Sequence, residues 1–181
     1  MENAELLDRY ETTLEEGLVK LCTSCGYLKG EQLDCPDVSA KWDDYIKDYT
    51  ADAIENFNAY PEAAIAWAAF LGMAVAASWD RDWQAGKDAP YSSYYGSRGW
   101  DDMDEHVLHD IFFLNLEKDE AKKLSNTLMA CSYAALGLIR HEAIEPQTAT
   151  GFYALTRTFT VMYRIGASIA LKRLGYRKVP V

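Results

Sequence analysis

From Ala63 to Ser78 the chain carries no charged side chain, and half of those sixteen positions are alanine. Glu62 precedes the run and Asp80 follows it. A stretch this apolar must be shielded from water, and its length allows two settings. A bilayer span needs about 20 strongly apolar residues, and alanine drives insertion weakly beside Leu, Ile or Phe. A helix that is apolar all round can equally form the centre of a helical bundle. The acidic, polar flanks select the second setting, and no membrane partner is expected.

The internal pattern of the run sharpens this expectation. Ala64, Ala68, Gly72 and Ala76 recur every four residues, a smooth ridge along which another backbone can approach. Ile65, Trp67, Phe70, Leu71, Met73 and Val75 cover the other faces, so neighbours must surround it. Farther on, Ala130, Ala134 and Gly137 lie among Leu128, Met129, Leu136 and Ile139. These two Ala/Gly-rich helices, third and fifth in order, are the expected central pair.

Six helices follow from apolar periodicity, and no segment alternates long enough for a strand. The first runs from about Ala4 to Cys25 on a stripe of Leu7, Tyr10, Leu14, Leu18, Leu21 and Cys25, and Gly26 stops it. Ser39 reads as the N-cap of the second, which buries Trp42, Tyr45, Ile46, Tyr49 and Phe57. Pro61 opens the third, which extends to about Gln84. The fourth starts at Asp101 or Asp102, and the fifth runs from about Lys118 to Glu142. The sixth, about Thr148 to Leu174, presents Phe152, Leu155, Phe159, Met162, Gly166 and Ile169 before Gly175 ends it. The expected fold is all-α: one domain over 1–181, a compact bundle of about six helices.

Charge is distributed unevenly. Residues 1–62 hold 15 acids and 5 bases, 63–120 hold 11 and 4, and 121–181 hold 2 and 9. With a net charge of −10 the chain repels phosphate backbones, so no nucleic-acid partner is expected. The basic last helix is expected to dock beside the acidic early ones. The N-terminus is acidic where a signal peptide would be basic, and four cysteines are too few for a disulfide framework. Both observations suggest a reducing, cytoplasmic setting.

Two stretches could carry chemistry. In Asp101-Asp102-Met103-Asp104-Glu105-His106-Val107-Leu108-His109-Asp110, an α-helix puts Asp102, His106 and His109 on one face, with Glu105 at its edge and Asp110 at the opposite edge. Imidazole and carboxylate at this spacing can converge on a divalent metal, and also describe the wet side of an amphipathic helix. His141, at the end of the fifth helix, would join them if helices four and five were antiparallel neighbours. Glu-x-x-His and His-Glu-x-x-His are both absent.

The second stretch is aromatic. Trp83, Tyr91, Tyr94, Tyr95, Arg98 and Trp100 lie in and around a Gly/Pro-interrupted loop over 85–100. Flat apolar rings with polar handles compose binding surfaces, and they also plug the ends of bundles. Cys22-Thr-Ser-Cys25 resembles half a redox or zinc motif, but it sits at a helix C-terminus, where the dipole opposes negative charge. Arg157 and Arg164 with Ser168 and Lys172 make one polar side of the sixth helix, suited to an anion or to the chain's own carboxylates. There is no phosphate-binding Gly-rich loop, nucleophile elbow or Ser/His/Asp arrangement. The expected function is therefore a non-catalytic binding or adaptor domain for a protein, a small molecule or a second copy of itself. The alternative is a metal-binding protein or metal-dependent enzyme using the 102–109 face.

Overall fold

The computed structural model describes residues 2–97 and 99–177, apart from the side chain of Glu2. It is an all-α bundle. The long helices are α1 (Glu2–Ser24), α2 (Pro36–Phe57), α3 (Pro61–Gly86), α5 (Asp119–His141) and α6 (Ala149–Arg173). Between α3 and α5, α4 is one turn (Met103–Glu105) that widens at once into a π-helical turn, His106–Ile111. Among the described residues no strand forms, and the one sheet-like pairing is an isolated bridge between Gly96 and Gly99.

The helix ends follow local chemistry. Gly26 and Gly175 adopt φ of +88° and +99°, the left-handed backbone that closes α1 and α6. Thr148 caps α6, its hydroxyl accepting from the Gly151 amide at 3.0 Å. Ser39 is not the cap of α2. That helix starts one turn earlier, with Pro36 in the first position, and the Ser39 hydroxyl donates instead to Asp34 at 2.9 Å.

The central pair is α3 with α6, not α3 with α5. A Cβ at Gly72 would lie 2.0 Å from the Tyr163 carbonyl oxygen, and one at Gly166 would lie 1.8 Å from that of Ala69. Each glycine thus admits the partner's backbone, and Ala68, Ala69 and Ala76 continue the fully buried seam. Gly137, by contrast, has nothing near its missing side chain, and Tyr133 beside it is exposed. Ala134 is exposed as well and Ala130 only half-buried, so the ridge they form with Gly137 admits no close backbone.

α3 and α6 run in the same direction. Tyr49 of α2 bridges their early turns, donating to the Ala64 carbonyl at 2.7 Å and meeting Phe159 edge-on. At the far end Trp79 meets Tyr176. α2 lies antiparallel to both: Trp42 stacks on Tyr163 at 4.8 Å and donates to Thr160, while Tyr163 donates to the Val38 carbonyl. α1 runs parallel to α6, and its stripe of Leu7, Tyr10, Leu14 and Leu18 is buried as expected but ends on Cys22, with Cys25 at the margin. Arg157 ties the two, bonding Asp8 at 2.8 Å and Glu11 at 2.6 Å. Arg164 adds a longer contact to Glu11, and Ser168 and Lys172 receive or reach the backbone of the loop after α1. The polar side of α6 is therefore occupied by the acidic first helix. Exposed pairs of this kind contribute about 0–1 kcal/mol each, so they align the helices more than they hold them.

α3 has the length and apolar character of a membrane-crossing helix, yet here every residue from Ala64 to Ala77 except Trp67 is buried inside the bundle. Gly166→Ala should lower the free energy of unfolding by about 3 kcal/mol, because the added methyl meets a carbonyl that cannot move without its helix. Gly137→Ala should raise it by up to about 1 kcal/mol, through helix propensity alone. Urea unfolding of the two variants checks both signs.

Candidate functional site

α3 does not end cleanly. At Asp82 the backbone leaves helical geometry (φ −164°, ψ 88°), and the chain then resumes one more turn to Gly86. The Asp82 carboxylate accepts from the Ala85 amide at 3.3 Å, an N-cap for that extra turn. Gly86 folds back on Ser78 so closely that a Cβ there would lie 2.1 Å from the serine Oγ. The aromatic stretch follows as a 3-10 turn, Tyr91–Tyr94, and a second at Trp100–Asp102.

This stretch is mostly core, not an open surface. Tyr91 and Tyr94 are buried and pack against Tyr45 and Tyr49 of α2. Trp83, Tyr95 and Trp100 are half-buried, and Arg98 lies outside the described residues. Trp67 donates to the Trp100 carbonyl at 2.9 Å. The Tyr95 hydroxyl lies 2.8 Å from Asp52 and 2.5 Å from the Tyr91 hydroxyl. Its one proton goes to the carboxylate, so Tyr91 supplies the other bond. Burial, reinforced by Asp52, pushes the Tyr95 phenol well above its ordinary pKa. Tyr45 is raised as well, first by burial and then by nearby Tyr94, and its proton is committed to the Ala89 carbonyl at 2.5 Å.

Thr50 Oγ1 and Trp100 Nε1 are buried without a partner among the described residues. The Tyr94 hydroxyl, also buried, bonds with that of Tyr45 and helps to raise its pKa. Tyr94 also lines a cleft of about 330 Å3 between the broken end of α3 and the π turn. Ala77 and Ser78 form part of the α3 wall, Ser93 stands beside Tyr94, and Arg81 and His106 also line it. Arg81 makes no ion pair among the described residues; its guanidinium lies 6.0 Å from the centre of the exposed Phe113 ring.

On the other side of His106 a smaller cleft, about 200 Å3, contains Asp102, Glu105, His106 and His109. These are the metal candidates of the sequence, and Asp110 reorders them. The π turn, marked by the Phe112 amide bonding the Val107 carbonyl five residues back, brings Asp110 to both imidazoles. Its two oxygens lie 2.7 Å from His106 Nδ1 and 2.8 Å from His109 Nδ1. The histidine contacts, His109 foremost, hold the Asp110 carboxyl below its usual range. Among the described residues no three His, Cys, Asp or Glu side chains gather as a metal-binding group. His141 is not part of this site. α4 lies against Ala121, Lys122, Ser125 and Asn126 in the first turns of α5, and His141 is about 24 Å further along that helix, next to the residue that pairs with Arg9.

Ser78, Arg81 and Asp110 are the residues the sequence does not single out. His106-x-x-x-Asp110 was the available signal for the last. Nothing in the spacing marks the break at Asp82 that brings Ser78 and Arg81 to the cleft. No protein-family model, curated protein or solved structure matches this chain.

Asp104, half-buried beside α5, has its carboxyl pushed up to about 6, chiefly by burial; the charges of Glu105 and Asp102 raise it further, and backbone hydrogen bonds oppose the rise. The folded state therefore holds this proton where the unfolded chain releases it, and stability falls as pH rises from about 4 to 6. Asp104→Asn removes that slope. Its stability relative to the parent should be higher at neutral pH than at about pH 4, as read from urea midpoints at the two pH values.

Proposed function

We propose that this chain is a non-catalytic binding domain whose ligand is a small polar molecule seated in the cleft at the broken end of α3. The observation that carries the reading is the gathering of Ser78, Arg81, Tyr94 and His106 around one cleft. Arg81 and Ser78 line the same space with donors, and the Ala77 methyl leaves room in it. No nucleophile paired with a general base accompanies them, which favours binding over chemistry. Four free thiols fit a cytoplasmic setting.

The test is a fragment screen on the full chain, read by chemical shifts of the Tyr94 ring and the Ala77 methyl. Hits should move both resonances, and Arg81→Met or Tyr94→Phe should abolish them. A cleft that takes no fragment overturns the reading.

A second reading has separate support. Asp110 grips both imidazoles through Nδ1, as outer carboxylates hold metal-ligating histidines, and leaves both Nε2 atoms for an ion. Zinc titration of untagged protein decides it. Stoichiometric uptake lost in His106→Ala/His109→Ala supports a metal site, and no uptake sinks it.

A further inference from the structure

α1 and α5 lie antiparallel, pinned by Arg9 to Glu142 at one end and by Lys123 over the Tyr27 ring at the other. Between these ends Cys22 and Cys131 meet. Their sulfurs are 3.7 Å apart, in van der Waals contact, and both residues are fully buried. One helical turn beyond Cys22, Cys25 stands at the edge of the same contact, partly exposed. Its amide still bonds the Leu21 carbonyl, so the i, i+3 geometry that makes helical side chains neighbours is intact. Cys25 is also close enough for its charge to bear on Cys131. The Cys22 carbonyl accepts the Tyr27 and Leu28 amides that close the helix, which fixes its backbone opposite Cys131.

We propose that Cys22 and Cys131 are an oxidation site, joined into a disulfide by a hydroperoxide that enters through Cys25. The sulfurs need to close from contact to a bond of about 2.0 Å, a movement that side-chain rotation within the interface supplies. In the first step the Cys25 sulfur attacks the peroxide O–O bond and becomes a sulfenic acid, releasing water or an alcohol. The Cys22 thiol then displaces hydroxide from that sulfur; its own proton leaves with the hydroxide as water, and a Cys22–Cys25 disulfide remains. Finally the Cys131 sulfur attacks Cys22, Cys25 departs as the thiolate and takes up the Cys131 proton. Two thiols have then lost two electrons and two protons to one hydroperoxide, and Cys25 is regenerated. The outcome is a covalent tie between the first helix and the fifth, closing most of the chain into a loop that the unfolded state must keep.

The experiment treats the full-length chain with hydrogen peroxide and follows intact mass and non-reducing peptide maps. The expected product is monomeric, lighter by two hydrogens, contains the Cys22–Cys131 cross-link, and melts at a higher temperature than the reduced protein. Cys25→Ser should form the same cross-link on the order of tenfold more slowly. Cys131→Ala should stop at the Cys22–Cys25 disulfide, and the parent's own peptide map decides the matter if that variant does not fold. A parent that ends at the Cys22–Cys25 disulfide, at sulfinic acid, or at dimers bridged through Cys25 overturns the proposal.

Discussion

Two carbonyls resting where two side chains are missing set the geometry of this bundle. At Gly72 and Gly166 the backbones of α3 and α6 come nearer than any Cβ would permit, and everything else is arranged around that contact. Once the pair is this close, neither helix retains a wet face along its middle, so each must be covered by others. α2 fills the groove between them, its Trp42 ring meeting Tyr49 on the same helix and Tyr163 on α6, and α1 and α5 cover other flanks. The stretch after α3 has to finish the enclosure, which is why its tyrosines point inward. An alanine ridge alone would not have produced this; the second glycine, on a helix otherwise studded with Thr, Tyr and Arg, is what admits the partner.

The same closeness accounts for where the irregular features lie. Regular helix persists as long as the α3–α6 seam continues, and it fails just beyond, at Asp82 and then at His106–Ile111. Breaks and π turns expose or redirect groups that a continuous helix would keep on fixed faces. Here the break folds Gly86 back on Ser78, and the π turn carries Asp110 bonded to two histidines. Among the described residues, the buried Thr50 and Trp100 atoms left without a partner lie in α2 and in the stretch after α3, not on the seam itself. Packing is satisfied at the centre, and polar matching is left incomplete at the edge.

How much of this could be read in advance depends on the kind of signal. The uncharged run between Glu62 and Asp80 allowed a bilayer span or a bundle core, its flanks favoured the core, and it is buried inside the bundle. Acidic residues early and basic residues late implied docking, and Asp8, Glu11 and Arg157 realise it. The choice of partner for α3 was not legible, because Ala130, Ala134 and Gly137 have the same spacing as a packing ridge and yet admit no close backbone. Spacing reports which residues share a face and is silent on what that face meets. Asp102, Glu105, His106 and His109 do share a cleft, but the role of Asp110 was harder to read: face assignments assumed a uniform 100° per residue, and the π turn departs from it in this segment. The aromatic loop divided. Its composition correctly marked a place where rings gather, but burial of Tyr91 and Tyr94 is decided by α2, about forty residues upstream.

The directions of the helices have an electrical consequence. α1, α3 and α6 point one way and α2 and α5 the other, so an odd number of long helices leaves one dipole uncancelled. Each helix end carries about half an elementary charge, so the excess is a fixed polarity along the bundle axis, independent of any side chain. The negative pole lies where α1, α3 and α6 end, and Lys172 reaches across it to the terminal Gly26 carbonyl of the first helix. Arg81 stands at that pole too. In a chain whose side chains already sum to −10, this pole is where an approaching cation gains most from the backbone, and the opposite pole is where an anion is least repelled.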